Sequence, residues 1–359
     1  MTFGPAHYVP VLKIKRGEKS ALQLISKTAQ ARITPLLEIT ERKALTGEKP
    51  PELANHLKNA FTKLDSAVAP FERFFLDCRE IAPDGAAGAS DVFKRATVLR
   101  TPFTPVTGIS RVADVKAALI HRRYGIAIRL TRAEYEAGRI PGDLPTFMRK
   151  NGLKPVETDL ILDLGPVENM IVPGIQSLAR GFVDEVPDPK QWRTLTVTSC
   201  AFPQSMAVVD SSSHALIERV EWQAWLLGLY GNRTDLPRLP TFSDCAIQHP
   251  RGVEGFDPRI MSASASTRIT TGDQWLLIKG VSTDSVLASV QFPSLATQLV
   301  YGHLQKQHWA GDRHCAGCAG MKLCADGGPK VGTPEVWRRL GTLHHLTCVA
   351  EQVGALTWP

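Results

Sequence analysis

In Tyr8–Glu18, YVPVLKIKRGE, an apolar run (Val9, Val11, Leu12) closes on the charges Lys13, Lys15, Arg16 and Glu18, and Gly17 stands where a strand must turn. Lys13 and Lys15 are two apart, so a strand running through both projects them from one face. The same grammar returns along the chain. Ile33–Ile39 (ITPLLEI) carries Glu38 near its end, Phe74–Arg79 (FFLDCR) carries Asp77 and Arg79, and Gly125–Leu130 (GIAIRL) carries Arg129. Asp159–Gly165 (DLILDLG) is the clearest case: an unbroken apolar run, then Asp163, then Gly165 to turn. Pro105–Ile109, Leu195–Ser199 and Phe242–Gln248 bring the strands to eight.

Helical spacing fills the intervals, at Ser20–Ala31, Leu53–Leu64, Asp91–Leu99, Val112–His121, Arg132–Asn151 (broken at Pro141-Gly142), Glu168–Gly181 and Ile217–Leu229. Eight βα units imply an α/β fold with a parallel sheet, and the polar strand ends fit a closed (β/α)8 TIM-like barrel over residues 1–261. An open doubly wound sheet is the alternative, but no GxGxxG follows any strand.

From about Ser262 the pattern changes. Ser266–Thr270 and Trp275–Lys279, joined by Thr271-Gly272-Asp273, read as a β-hairpin. A mostly helical stretch follows at Gln291–Leu304, then a glycine- and cysteine-rich loop, Gly311–Pro334, and a last helix to Gln352. Residues 262–359 therefore read as a C-terminal hairpin, Cys-rich loop and helix packed on the barrel, with Trp275, Leu277, Phe292, Trp337 and Leu340 burying against its helices or rim.

The chain has 359 residues, 43% of them hydrophobic, enough for a full core. No apolar run reaches membrane-spanning length, and MTFGPAHYVP lacks the layout of a signal peptide, so a cytoplasmic protein is expected. A net charge of +7 favours anionic ligands, although Lys and Arg form no tail or aromatic-interleaved stripe. Seven cysteines, an odd number, argue against a disulfide scaffold, and Cys78, Cys200 and Cys245 sit in apolar contexts.

Taken in order, YVPVLKIKRGE, ITPLLEIT, LDCR, DLILDLG, TRITTGDQWLLIKG and the ending GDRHC…GTPEVWRRLGTLHHLT resemble the "beta protein" family of phages and bacteria, from Tyr8 to about Gln352. The resemblance implies a barrel core with a C-terminal elaboration and a setting of phage–host conflict or anti-phage defence. It implies no reaction and no cofactor. His314–Cys324 is richer in cysteine than the family pattern, which makes a metal site there private to this protein or a subgroup.

In a barrel the C-terminal strand ends surround the open face. Read off the sequence, they offer Lys13, Lys15, Glu38, Asp77, Arg79, Arg129, Asp163, Ser199, Asp244 and His249. Lys13, Lys15, Arg79 and Arg129 suit an anionic group, arginine bidentately. Glu38, Asp77 and Asp163 suit Mg²⁺, or one of them a general base, with His345 from the last helix as a further catalytic candidate. If the tail covers the mouth, Asp312 joins them. His314, Cys315, Cys318 and Cys324 can supply a Cys3His structural Zn²⁺ site, with His344 or His345 as alternative fourth ligands and the surrounding glycines allowing tight turns. Isolated ion pairs and reduced cysteines are the plainer alternatives.

Two functions follow. One is a barrel enzyme acting on a phosphate-bearing nucleotide or nucleic-acid substrate, in the manner of a metal-dependent phosphodiesterase or nucleotide hydrolase. The other is a non-catalytic sensor or scaffold that binds a phage component or a partner effector nuclease from a neighbouring gene. No Walker A, GxSxG or HExxH motif supports NTP hydrolysis, acyl transfer or zincin proteolysis.

Overall fold

A computed structural model describes residues 2–44, 47–252, 264–328 and 332–358; the boundary expected at residues 261 and 262 lies outside them. Eight parallel strands form the main sheet: β1 (Val11–Lys13), β2 (Leu36–Glu38), β3 (Phe74–Asp77), β4 (Phe103–Thr107), β5 (Ile126–Thr131), β6 (Thr158–Pro166), β7 (Thr194–Cys200) and, after an intervening strand β8 (Ser213–Glu218), β9 (Thr241–Ser243). Each pairs with its predecessor, and a Tyr8–Phe242 bridge with bonds from the Val9 and Val11 amides to the Phe242 and Asp244 carbonyls closes the circle. This is the expected (β/α)8 barrel. The strands are buried because helices cover them outside and side chains fill them inside, as their near-continuous apolar runs require.

Local chemistry sets the element ends. The strand expected from Tyr8 stops at Lys13, since Lys15 already serves as N-cap of the helix Arg16–Gln23. Ser26 caps a separate turn, Lys27–Gln30, and splits the single helix expected there. The break expected at Pro141-Gly142 falls earlier, at Gly138, whose φ is +63°; Pro141 instead sits in the first turn of the helix Ile140–Lys150, where a missing N–H costs nothing.

The tail adds a second sheet. β10 (Ser264–Thr271) and β11 (Gln274–Ser282) form the expected hairpin, and β8, from within the barrel sequence, pairs antiparallel along β11. β8 escapes a sequence reading because its residues alternate between partial and full exposure. β11 is two-faced in the strict period of a strand. Trp275 and Leu277 join the barrel core, whereas Leu276 and Ile278 enter a second apolar cluster with Phe292, Met321, Trp337 and Leu340. Phe292, Trp337 and Leu340 were expected against the barrel; they pack together, with the Phe292 and Trp337 rings stacked at 5.2 Å.

Gly311–Pro334 is not a loop throughout. Ala316–Ala325 is a helix, lying across the long C-terminal helix Pro334–Ala355. A Cβ on Gly317 would stand 2.5 Å from the Leu340 carbonyl oxygen, and one on Gly320 would stand 2.4 Å from Leu340 Cδ2. These glycines permit a close helix crossing rather than turns.

Candidate functional site at the barrel mouth

Strand register brings Lys13, Glu38 and Asp77 into one row across β1, β2 and β3. Arg129 on β5 and Asp163 on β6 reach the same level from the other side. The Arg129 guanidinium, 3% exposed, lies 2.7 Å from Glu38, 3.0 Å from Asp77 and 2.8 Å from Asp163. Arg79, just past β3, bridges Glu38 at 3.0 Å and Asp163 at 2.9 Å. Lys13 is 2.6 Å from Glu38 and also pairs with Glu80. Arg111, in the loop after β4, holds Asp77 at 2.7 Å and pairs with Asp114, which accepts from Thr107 at 2.6 Å. The Asp77 and Asp163 carboxylates also accept the amides of Arg79 and Gly165.

The electrostatics follow from this packing. Burial alone would raise the carboxyl pKa values, yet the surrounding cations win. Arg79, Lys13 and Arg129 hold Glu38 well below the usual range. Arg111, Arg129 and Arg79 lower Asp77, and Arg129 and Arg79 lower Asp163. Burial works against the charged form of Lys13 too, but Glu38 and Glu80 raise its pKa. Every charge in the row stays ionised and paired, as buried charges must.

The structure thus brings together Lys13, Glu38, Asp77, Arg79, Arg129 and Asp163, and adds Arg111, Asp114 and Glu80. No sequence signal marked the last three as partners, because they lie in loops whose approach only the barrel closure sets. Lys15 stays apart: it is exposed at a helix cap and does not share the strand face of Lys13. Among the described residues, Glu38, Asp77 and Asp163 do not form a metal-competent cluster; arginines occupy the space between them.

His345 is elsewhere. Its Nε2 lies 3.1 Å from Asp244, just beyond β9, and its Nδ1 lies 2.7 Å from the Thr270 hydroxyl. Tyr8 donates to the same Asp244 at 2.5 Å. This buried chain joins the C-terminal helix to the barrel rim. Asp312 is exposed and takes no part in it. Of the cysteines, Cys315, Cys318 and Cys348 approach His344, with His314 beside Cys348, whereas Cys324 points into the apolar cluster with Met321 and Trp337.

The opposite end of the barrel carries a second set of charges. Asp159, at the start of β6, holds Arg73 at 2.8 Å and Arg193 at 2.5 Å and accepts from Thr194 at 2.7 Å. Below them opens a cavity of about 570 Å³ at the N-terminal strand ends. Its wall includes five cations, Arg73, Arg122, Arg123, Lys154 and Arg193, against Glu72 and Glu157, with the Tyr124 ring at its side.

The family model described as Beta protein matches residues 8–351. The chain belongs to the Beta protein family. The match spans both the barrel and the tail, so mouth, floor and cysteine cluster all lie within the family region. No curated protein matches the chain. Among the described residues, no helix is long and apolar enough to cross a membrane.

Proposed function

We propose that this Beta protein is a recognition barrel that binds a phosphate-bearing ligand, a nucleotide or nucleic-acid end, at its floor without turning it over. The observation that carries this reading is the pairing at the mouth. Arg129 alone engages three carboxylates from three strands, so the groups expected as general base or Mg²⁺ ligands are already neutralised. Of the cations expected as anion grips there, Lys13, Arg79 and Arg129 are spent on the same carboxylates, and Lys15 stands apart from them.

The floor differs in charge and in room. Its cavity falls within the ~300–1,000 Å³ range of small-molecule sites, and cations outnumber acids on its wall even when Asp159 beneath is counted. Arginine forks suit phosphate oxygens, and Tyr124 offers a ring face beside them, with the Arg123 guanidinium 5.3 Å from its centroid. Phage–host conflict, the setting that the family resemblance implies, makes phage or host nucleotides the ligands to test first.

The enzyme reading keeps one observation on its side. Arg79 is 28% exposed and is the one bridge between Glu38 and Asp163 that solvent reaches readily. A ligand phosphate that drew it away would free both carboxylates together.

Calorimetric titration with ATP and with a 5′-phosphorylated oligonucleotide, followed by product analysis, separates the two. The floor reading expects saturable, salt-sensitive binding, weakened at least tenfold by Arg122→Glu and unchanged by Asp163→Asn, with no product formed. Turnover abolished by Asp163→Asn would establish the enzyme reading instead. Absence of binding to either probe would defeat both.

A further inference from the structure

The tail holds a donor cluster that the mouth and the floor do not use. Cys315 Sγ and Cys318 Sγ stand 3.6 Å apart at the start of the helix Ala316–Ala325. His344 Nδ1, from the C-terminal helix, lies 3.2 Å from Cys318 Sγ and 3.9 Å from Cys315 Sγ. Cys348, one helical turn further along, puts its Sγ 3.8 Å from the same Nδ1. A tetrahedral zinc with Zn–S of about 2.3 Å and Zn–N of about 2.0–2.1 Å places its donors roughly 3.5–3.8 Å from one another. These four separations bracket that range.

We propose that Cys315, Cys318, Cys348 and His344 bind one structural Zn²⁺ ion that fastens the helix Ala316–Ala325 to the C-terminal helix.

The surroundings are those a metal site needs. His344 Nε2 is 2.8 Å from the Thr270 carbonyl oxygen, so it donates there and leaves Nδ1 with its lone pair toward the sulfurs. The Cys318 amide points at Cys315 Sγ, 3.3 Å away, where it stabilises a thiolate. His314 stands behind Cys348, with Nε2 3.3 Å from its sulfur and Nδ1 3.5 Å from the Glu351 carboxylate. It is a positioning residue, set between the Cys348 sulfur on one side and the Glu351 carboxylate on the other. His314 also lies within 4.8 Å of the Cys315 and His344 donors, which makes it the rival for the fourth position. The i, i+4 pair on one helix face favours Cys348: its Sγ lies 3.4 Å from Nε2 of the same ring, and a side-chain rotation toward Nδ1 completes the shell without any loop movement.

Binding replaces three thiol protons by one Zn²⁺: three S–H bonds are lost, three Zn–S bonds form, and three protons go to solvent, with no change of oxidation state. Four protein donors close the shell, as in structural rather than catalytic sites. The ion would clamp the segment that carries His345 onto Asp244, and so fix the tail to the barrel rim.

Elemental analysis of the full chain, purified under reducing conditions from zinc-supplemented medium, should give one zinc per chain. Cobalt substitution should give the visible absorption of a tetrahedral thiolate site. Cys318→Ser and Cys348→Ser should lose the metal, whereas Cys324→Ser and His314→Ala should keep it. Absence of metal in the wild type, a Cys315–Cys318 disulfide in its place, or loss of metal in His314→Ala or Cys324→Ser would each overturn this assignment. Should the serine variants fail to fold, the wild-type cobalt spectrum and thiol counts with and without chelator decide: three thiols protected by metal support the site, and none protected contradicts it.

Discussion

Arg129 stands at the centre of the mouth, and what it holds makes it the most consequential single side chain there. Arg129→Met keeps the aliphatic stem but leaves Glu38, Asp77 and Asp163 sharing fewer cations in a buried setting, so it should cost about 3–5 kcal/mol in urea unfolding. Arg16→Ala removes an exposed pair with Glu335 and should cost less than about 1 kcal/mol. Glu221 gives the opposite pH response. Burial pushes its carboxyl up to about 8, aided by Asp244 and opposed by Arg219. Folded Glu221 is therefore neutral where the unfolded chain has already ionised it. Its contribution is fully present below the unfolded value of 4.5 and is lost as pH rises toward about 8. Thermal melts across that window should show Glu221→Gln gaining on the wild type as pH rises; parallel curves would refute the assignment. The charged residues at the strand ends were legible in the sequence, because apolar strands rarely end in charge without reason. Their pairing was not, since Arg111 and Asp114 come from a loop with no pattern to mark it.

At the scale of elements, glycine meaning depended on context that sequence does not carry. Gly317 and Gly320 sit three apart among cysteines and read as turn residues. They are helical, and their missing side chains let two helices cross closely enough for Cys318 to reach His344. Gly320→Val should push the crossing apart and destabilise the tail by about 1–3 kcal/mol, as overpacking does. Hydrogen exchange should quicken in Ala316–Ala325 and the first half of Pro334–Ala355, with the barrel strands unaffected; uniform exchange would show that the tail and barrel unfold as one unit. The i, i+4 spacing of His344 and Cys348 was readable in the sequence. Cys324 lies nearer to Cys315 and Cys318 in sequence than Cys348 does, but its helix turns that side chain into the apolar cluster.

For the whole molecule, βα alternation made the barrel legible from end to end, because parallel strands buried on both faces need long apolar runs that are hard to mistake. The sheet β8–β11–β10 was half legible: the hairpin has its own turn, but β8 pairs across a gap in sequence that periodicity does not bridge. The mouth network ties nine charged groups, from five strands and the loops after β3 and β4, into one body, so acid should act on the molecule as a unit. Glu38, Asp77 and Asp163 have folded pKa values depressed below the unfolded carboxylates, which titrate near about 4. Their stabilisation is fully present above that value and is lost as pH falls through the folded ones. Circular dichroism during acid titration should therefore report a cooperative loss of the barrel, shifted to higher pH in Arg129→Met.

Which end of the barrel takes the ligand is decided by crystals grown with ATP. The account expects phosphate density within hydrogen-bonding distance of Arg122, Arg123 or Lys154 at the floor, with Arg129 still bound to Glu38, Asp77 and Asp163. Phosphate density in the mouth, with Arg79 drawn away from Glu38 and Asp163, would contradict it.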